Sequence, residues 1–202
     1  MSPEDVRKVY LFLYNLFQMI GFLYLVAALV IRQAVEGSMS ETGSYQAIGT
    51  IVKLLHFLKT LEILHPMLGF TTGDVLYPLL EVFFRLFMVI VMIEGEPRIQ
   101  TKPVVFYLLL TWSVNDTVRH LYYMLRIFDA DSFLKIIHYN LWFVTCPLSF
   151  IFEGVILLRN IPYFDETNNW SFDLPNTWNI SFSMSLLIRI FLLFGFFPSE
   201  LT

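Results

Sequence analysis

Long apolar runs, broken by short polar clusters, organise this chain. A helix that crosses a bilayer needs about 20 largely apolar residues. Runs of that kind predict spans over residues 10–31, 45–70, 75–93, 104–128, 133–158 and 180–197. Between them lie clusters of turn and loop residues: "QAVEGSMSETGS", "TTGD" at Thr71 to Asp74, "EGEPRIQTKP", "DADS", and the longer "RNIPYFDETNNWSFDLPNTWN". Pro103 stands at the start of the fourth run, where its missing N–H costs nothing. The pattern therefore predicts an all-α membrane protein, a bundle of six transmembrane helices. It forms a single domain over residues 1–202. The second run is the least apolar, with Lys53, His56, Lys59, Glu62 and His65, so its polar residues must face the bundle interior or an interface.

Composition supports the same class. Hydrophobic residues make up 56% of the 202 residues and charged residues 15%, against about 25% for a soluble domain. The net charge of −4 and the absence of a basic run argue against a nucleic-acid partner. One cysteine leaves no intrachain disulfide and no thiolate metal cluster. The N-terminus reads as an uncleaved first span rather than a signal peptide, since no small-residue cleavage site follows a short apolar core. Six spans would put both termini on one side. Charge does not orient them: Arg7, Lys8, Arg126 and Lys135 on the terminal side face Arg32, Arg98, Lys102 and Arg159 on the other. The sequons at Asn169 and Asn179 would be glycosylated only if their loop is luminal; Asn115-Asp-Thr falls inside a span.

Charge inside a span is costly and calls for a partner. Glu81 and Arg85 are four apart, and Asp116 and Arg119 three apart, so each pair shares a helical face and reads as neutralising glue. Glu153 has no basic residue within a turn of its own helix. A distant arginine neutralises it, or it is protonated, or it lines a cavity and does chemistry. Tyr139, Cys146 and Glu153 recur at seven, and seven residues return to within about 20° of one helical face. Pro147 removes a backbone hydrogen bond beside the thiol. A buried thiol with no cation near it has no cause for activation and reads as packing. His56, His65, His120 and His138 lack the close spacing of a metal site, so no metal is expected.

In order along the chain, "LEILHPMLGF", "LLEVFFRLF", "WSVNDTVRHLYYML", "CPLSFIFEG" and "IPYFDETNNWSFDLP" resemble the very-long-chain (3R)-3-hydroxyacyl-CoA dehydratases, also called protein tyrosine phosphatase-like proteins. The resemblance covers nearly the whole chain. It implies dehydration of a 3-hydroxyacyl-CoA to a trans-2-enoyl-CoA, the third step of very-long-chain fatty-acid elongation, with no cofactor and with the acyl chain in a tunnel between the helices. It further implies an endoplasmic reticulum membrane location with both termini cytosolic. The implied partners are an acyl-CoA substrate, the lipid bilayer, the fatty-acid elongase and the other elongation-cycle enzymes. The family's active pair is a tyrosine and a glutamate seven apart; Glu153 falls on the glutamate and Cys146 on the tyrosine. Glu62, Arg85 and Arg119 match charged family positions, as does the Trp112-Ser113 pair. Glu81, Asp116, His138 and Ser149 stand where Gln, Glu, Arg and Gly are usual. An active enzyme would use Glu153 as acid and base, with Tyr139, His138, Ser149 or a water in the tyrosine's place. The alternative is a catalytically impaired relative that scaffolds elongase partners or binds acyl-CoA. A small transporter would show repeat symmetry or paired interrupted helices, and neither is present.

Overall fold

A computed structural model describes residues 2–130, 132–172 and 181–194. Among these residues the structure is all-helical, with one isolated antiparallel bridge, Phe172 to Phe182. Helix α1 (Pro3–Glu36) starts on a reciprocal cap: Asp5 N–H donates to Ser2 Oγ at 3.2 Å, and Ser2 N–H donates to an Asp5 carboxylate oxygen at 2.9 Å. Gly37, at φ +59°, ends it in a conformation that suits glycine. Helix α2 spans Met39–Leu58 and α3 Leu61–Met67. Helix α4 (Leu76–Leu86) runs without a break into a π-helical segment, Phe87–Glu94. A short α5 (Pro97–Gln100) leads to α6 (Pro103–Arg126) and the long α7 (Ser132–Thr167). The last described element is α8 (Met184–Phe194).

Three stretches are long and apolar enough to cross a membrane: Pro3–Glu36, Leu76–Glu94 and Phe133–Thr167. Helix α6, at 24 residues and about 36 Å, has the length but carries Asn115, Asp116, Arg119 and His120 on its buried side. The run expected to span 180–197 lies partly outside the described residues, as does Asn179.

The expected second span, 45–70, is two helices. The chain turns at Lys59 and Thr60, where the Leu55 carbonyl accepts from both Lys59 N–H (3.1 Å) and the Gln18 side-chain amide (3.3 Å). The bonds that follow are of the tighter i→i−3 kind: Thr60 N–H to Phe57, Glu62 N–H to Lys59 and Ile63 N–H to Thr60. Helix α7 also departs from expectation. Arg159 to Thr167, read as loop because of their Asn and Pro, continue the helix through Pro162. Tertiary contacts hold them there. Phe164 is fully buried, and Asn160 donates to the Met92 carbonyl at 2.9 Å inside the π-helical segment. Arg98 lies 4.1 Å over the Tyr163 ring and pairs with Glu166 at 2.6 Å.

Helix α6 is central, packed against α1, α2 and α7. On one half of the interior the contact is apolar: Phe22, Leu25, Leu29, Ile48, Val52, Val105, Leu108 and Leu109 are buried. On the other half it is polar.

Candidate active site

The polar half is built around Lys59, which the turn after α2 carries fully into the interior. Its Nζ donates to Glu81 Oε1 at 2.8 Å and to both Asp116 carboxylate oxygens at 3.3 Å. Arg119, on α6, donates from Nη1 to both oxygens of Glu81, at 2.7 and 2.8 Å, and from Nη2 to Glu62 at 3.3 Å. Within α6, Arg119 and Asp116 are 3.6 Å apart, and Arg85 reaches Asp116 at 4.0 Å. Tyr14 of α1 donates to Glu62 at 3.0 Å. Three cations and three carboxylates, from three helices and the turn after α2, thus meet with formal charges that cancel. A buried ionic group is tolerable only when paired and hydrogen-bonded in this way. The in-helix pairing read from spacing is present for Asp116 and Arg119, but Glu81's hydrogen bonds run to other helices.

Glu153 lies buried on α7. Trp112 Nε1 donates to its Oε1 at 3.1 Å. The Arg85 guanidinium carbon sits 4.3 Å over the Trp112 ring, a cation–π contact that links the carboxylate to the charge cluster through one indole. Ser149 is one turn before Glu153 on the same face. It is 2% exposed, and its Oγ has no hydrogen-bond partner among the described residues. Cys146 is half-buried a further turn along.

The structure separates the other candidates from this group. Tyr139 is 51% exposed and faces outward. The seven-residue stripe drifts by about 20° per step, so two steps carry it off the buried face. His138 is buried but stacks on Tyr122, centroids 5.0 Å apart, two turns beyond Cys146. Glu62, Glu81, Arg85, Asp116 and Arg119 form the ion-pair cluster, one turn of α6 from Trp112. Among the described residues no three His, Cys, Asp or Glu gather in a way that would hold a metal. His56 bonds the Val52 carbonyl, His65 meets Tyr10, and His120 meets Asn15.

Two residues matter more than their sequence pattern indicated. Lys59 was legible only as one more polar residue in a weak span, although a lysine at that depth needs a carboxylate from another helix. Trp112 was legible as part of a motif, and nothing in the sequence pointed its indole at Glu153.

A cavity of about 450 Å³ opens at the end of the bundle that holds the start of α1 and the end of α6. Its floor is Tyr14, Glu62, Glu81 and Arg119; Cys146, Ser149 and Glu153 are not among its lining residues.

A model of the protein tyrosine phosphatase-like protein family (PTPLA) matches residues 56–201. A Gallus gallus very-long-chain (3R)-3-hydroxyacyl-CoA dehydratase is 32% identical over 199 residues, covering 95% of this chain and 54% of its own length. A Homo sapiens very-long-chain (3R)-3-hydroxyacyl-CoA dehydratase 3 is 32% identical over 199 residues, covering 96% of this chain and 55% of its own. The Homo sapiens dehydratase 4 is 28% identical over 195 residues, with coverage of 96% and 84%. The chain therefore spans about half the length of the first two relatives. No solved structure matches.

Proposed function

Because this chain belongs to the protein tyrosine phosphatase-like family, we propose that it dehydrates a (3R)-3-hydroxyacyl-CoA to the trans-2-enoyl-CoA, the dehydration step of very-long-chain fatty-acid elongation. The observation that carries this reading is the buried Glu153 carboxylate held by Trp112 at 3.1 Å. The elimination needs a base to take a proton from C2 and an acid to protonate the oxygen leaving C3, and one carboxyl can serve as both. Glu153 accepts the C2 proton as the double bond forms and the C3–O bond breaks. It then passes that proton to the departing hydroxyl, which leaves as water, so atoms and charge balance. Ser149 supplies the nearby hydroxyl that orients the C3 oxygen, in place of the phenol expected where Cys146 stands. Its burial and its unpartnered Oγ favour it over Tyr139, which faces outward, and over His138, which stacks elsewhere.

The bundle lies in the endoplasmic reticulum membrane with six spans, an acyl tunnel between them and both termini cytosolic. The lengths of α2 and α6, 20 and 24 residues, support two spans beyond the three apolar stretches. The interior direction of α6's charges explains why its hydropathy alone is weak. The elongase and its companion enzymes act beside it.

The test is conversion of a long-chain (3R)-3-hydroxyacyl-CoA by the purified protein in detergent, beside Glu153→Gln, Ser149→Ala and Cys146→Tyr. Turnover by the wild type, abolished in Glu153→Gln and reduced at least tenfold in Ser149→Ala, is the expected result. A silent wild type that gains activity in Cys146→Tyr would replace the enzyme reading with that of a catalytically impaired scaffold.

A further inference from the structure

The cavity at the terminal end of the bundle has no part in the chemistry above, and its rim and floor differ in charge. At the floor, Glu62 and Glu81 are neutralised by Arg119 and Lys59. At the rim stand Arg7 and Arg126. Arg7 has one ion-pair neighbour among the described residues, Glu4, at the long distance of 3.9 Å. Its Nε is enclosed and has no hydrogen-bond partner there. Arg126 is exposed, and it makes no ion pair among the described residues. Asp74, the rim carboxylate, accepts from Leu76 N–H at 3.2 Å and sets one negative charge against the two guanidinium groups. The rim therefore offers two guanidinium groups from facing helices to a ligand that the floor does not attract.

Guanidinium pairs suit phosphate oxygens, since the planar fork donates two parallel hydrogen bonds. Along α6, Arg126 is fourteen residues past Trp112, which places the rim about 20 Å from the level of Glu153. A substrate whose reacting carbons lie at one end of a long arm and whose phosphates lie at the other matches that separation. Binding energy gathered at a remote group is also what an enzyme uses to fix a flexible substrate.

We propose that Arg7 and Arg126, at the rim of this cavity, form the site for the phosphate-bearing end of the CoA carrier. This rests on the dehydratase reading for the identity of the carrier, and on the cavity for its place.

The test uses the full chain in detergent and does not depend on turnover. Calorimetry would measure binding of CoA, and of pantetheine lacking all phosphates, to the wild type, to Arg7→Gln/Arg126→Gln and to Arg7→Lys/Arg126→Lys. The wild type is expected to bind CoA at least about tenfold more tightly than pantetheine, the scale of one charge-assisted contact. The preference should fall with added salt, vanish in the glutamine variant and partly return in the lysine variant. Equal binding of the two ligands, or a preference that survives in the glutamine variant, overturns the site. Displacement of CoA by phosphatidate in mixed micelles, with none by 3′-phosphoadenosine 5′-diphosphate, would assign the rim to a lipid headgroup and overturn the carrier assignment. Turnover on the same preparations separates the two ideas. A phosphate preference without turnover keeps the site and sinks the dehydratase reading; turnover without the preference does the reverse.

Discussion

The two halves of the bundle interior solve the same packing problem by different physics. Along α1, α2 and α6, one half meets through Phe22, Leu25, Leu29, Ile48, Val52, Val105 and Leu108. In the other half the same three helices present Asn15, Gln18, His56, Asp116, Arg119 and His120, and the turn after α2 adds Lys59. Lipid tails are as apolar as leucine, so the apolar half gains little from burial itself and holds by close shape and dispersion. The polar half holds by charge matching, and any loss there strands an ion. The difference teaches that the apolar half tolerates exchange of similar volumes, whereas the polar half tolerates only changes that keep its sum of charge. Glu153 sits at the boundary, held by an indole whose ring faces Arg85.

The largest expected effect lies at that boundary. Glu153→Gln should lower turnover by about 10²–10⁴-fold, the usual weight of a general acid–base group, with thermal stability in detergent kept. Retained turnover would put the chemistry elsewhere in the polar half. Next comes the charge sum. Lys59→Ala should destabilise by about 3–5 kcal/mol, the cost of leaving buried carboxylates unpaired. Adding Glu81→Gln should recover more than half of that, as a double-mutant cycle from denaturant unfolding would reveal. Val52→Ala in the apolar half should cost roughly 1–2 kcal/mol with no such partner to restore it. Equal behaviour of the two halves would break the comparison.

A smaller effect separates holding from reacting. Trp112→Phe keeps the ring beneath Arg85 and removes the N–H that Glu153 accepts. It should lower kcat about tenfold to a hundredfold, the range for a hydrogen bond to a charged group, while KM and folding move little. A matching rise in KM would make Trp112 a binding residue instead. The smallest effect is expected away from both halves, at the loop between the π-helical segment and α5. Arg98 donates to Glu96 at 2.8 Å and holds its carboxyl below the usual value of 4.5. A depressed folded value means that this pair contributes stability above pH 4.5, lost as pH falls through the folded value. Glu96→Gln should therefore lower Tm by at most about 2 °C at neutral pH, and the gap to wild type should close on acidification.

The expected elements survive where they rest on run length and fail where a contact from another helix intervenes. The turn at Lys59 and Thr60 breaks a run that reads as continuous, and there Lys59 bonds Glu81 and Asp116 of other helices. Arg159 to Thr167 read as loop and fold as helix, because Phe164 and Asn160 find buried partners. The isolation of Glu153 in an apolar run was legible, as was the pairing of Arg119 with Asp116 from their spacing. The seven-residue repeat overreached at Tyr139.

By itself the sequence determined the helical class, the apolar stretches of membrane-spanning length, the inventory of buried charge and the family motifs, because each of these is local in the chain. Only the tertiary structure decided that Lys59 bridges Glu81 and Asp116, that Trp112 holds Glu153, and that Ser149 is buried while Tyr139 faces outward. Those outcomes depend on the rotation and axial offset of one helix against another. A period of 3.6 residues fixes which side chains share a face, and it is silent on which face of which neighbour they meet.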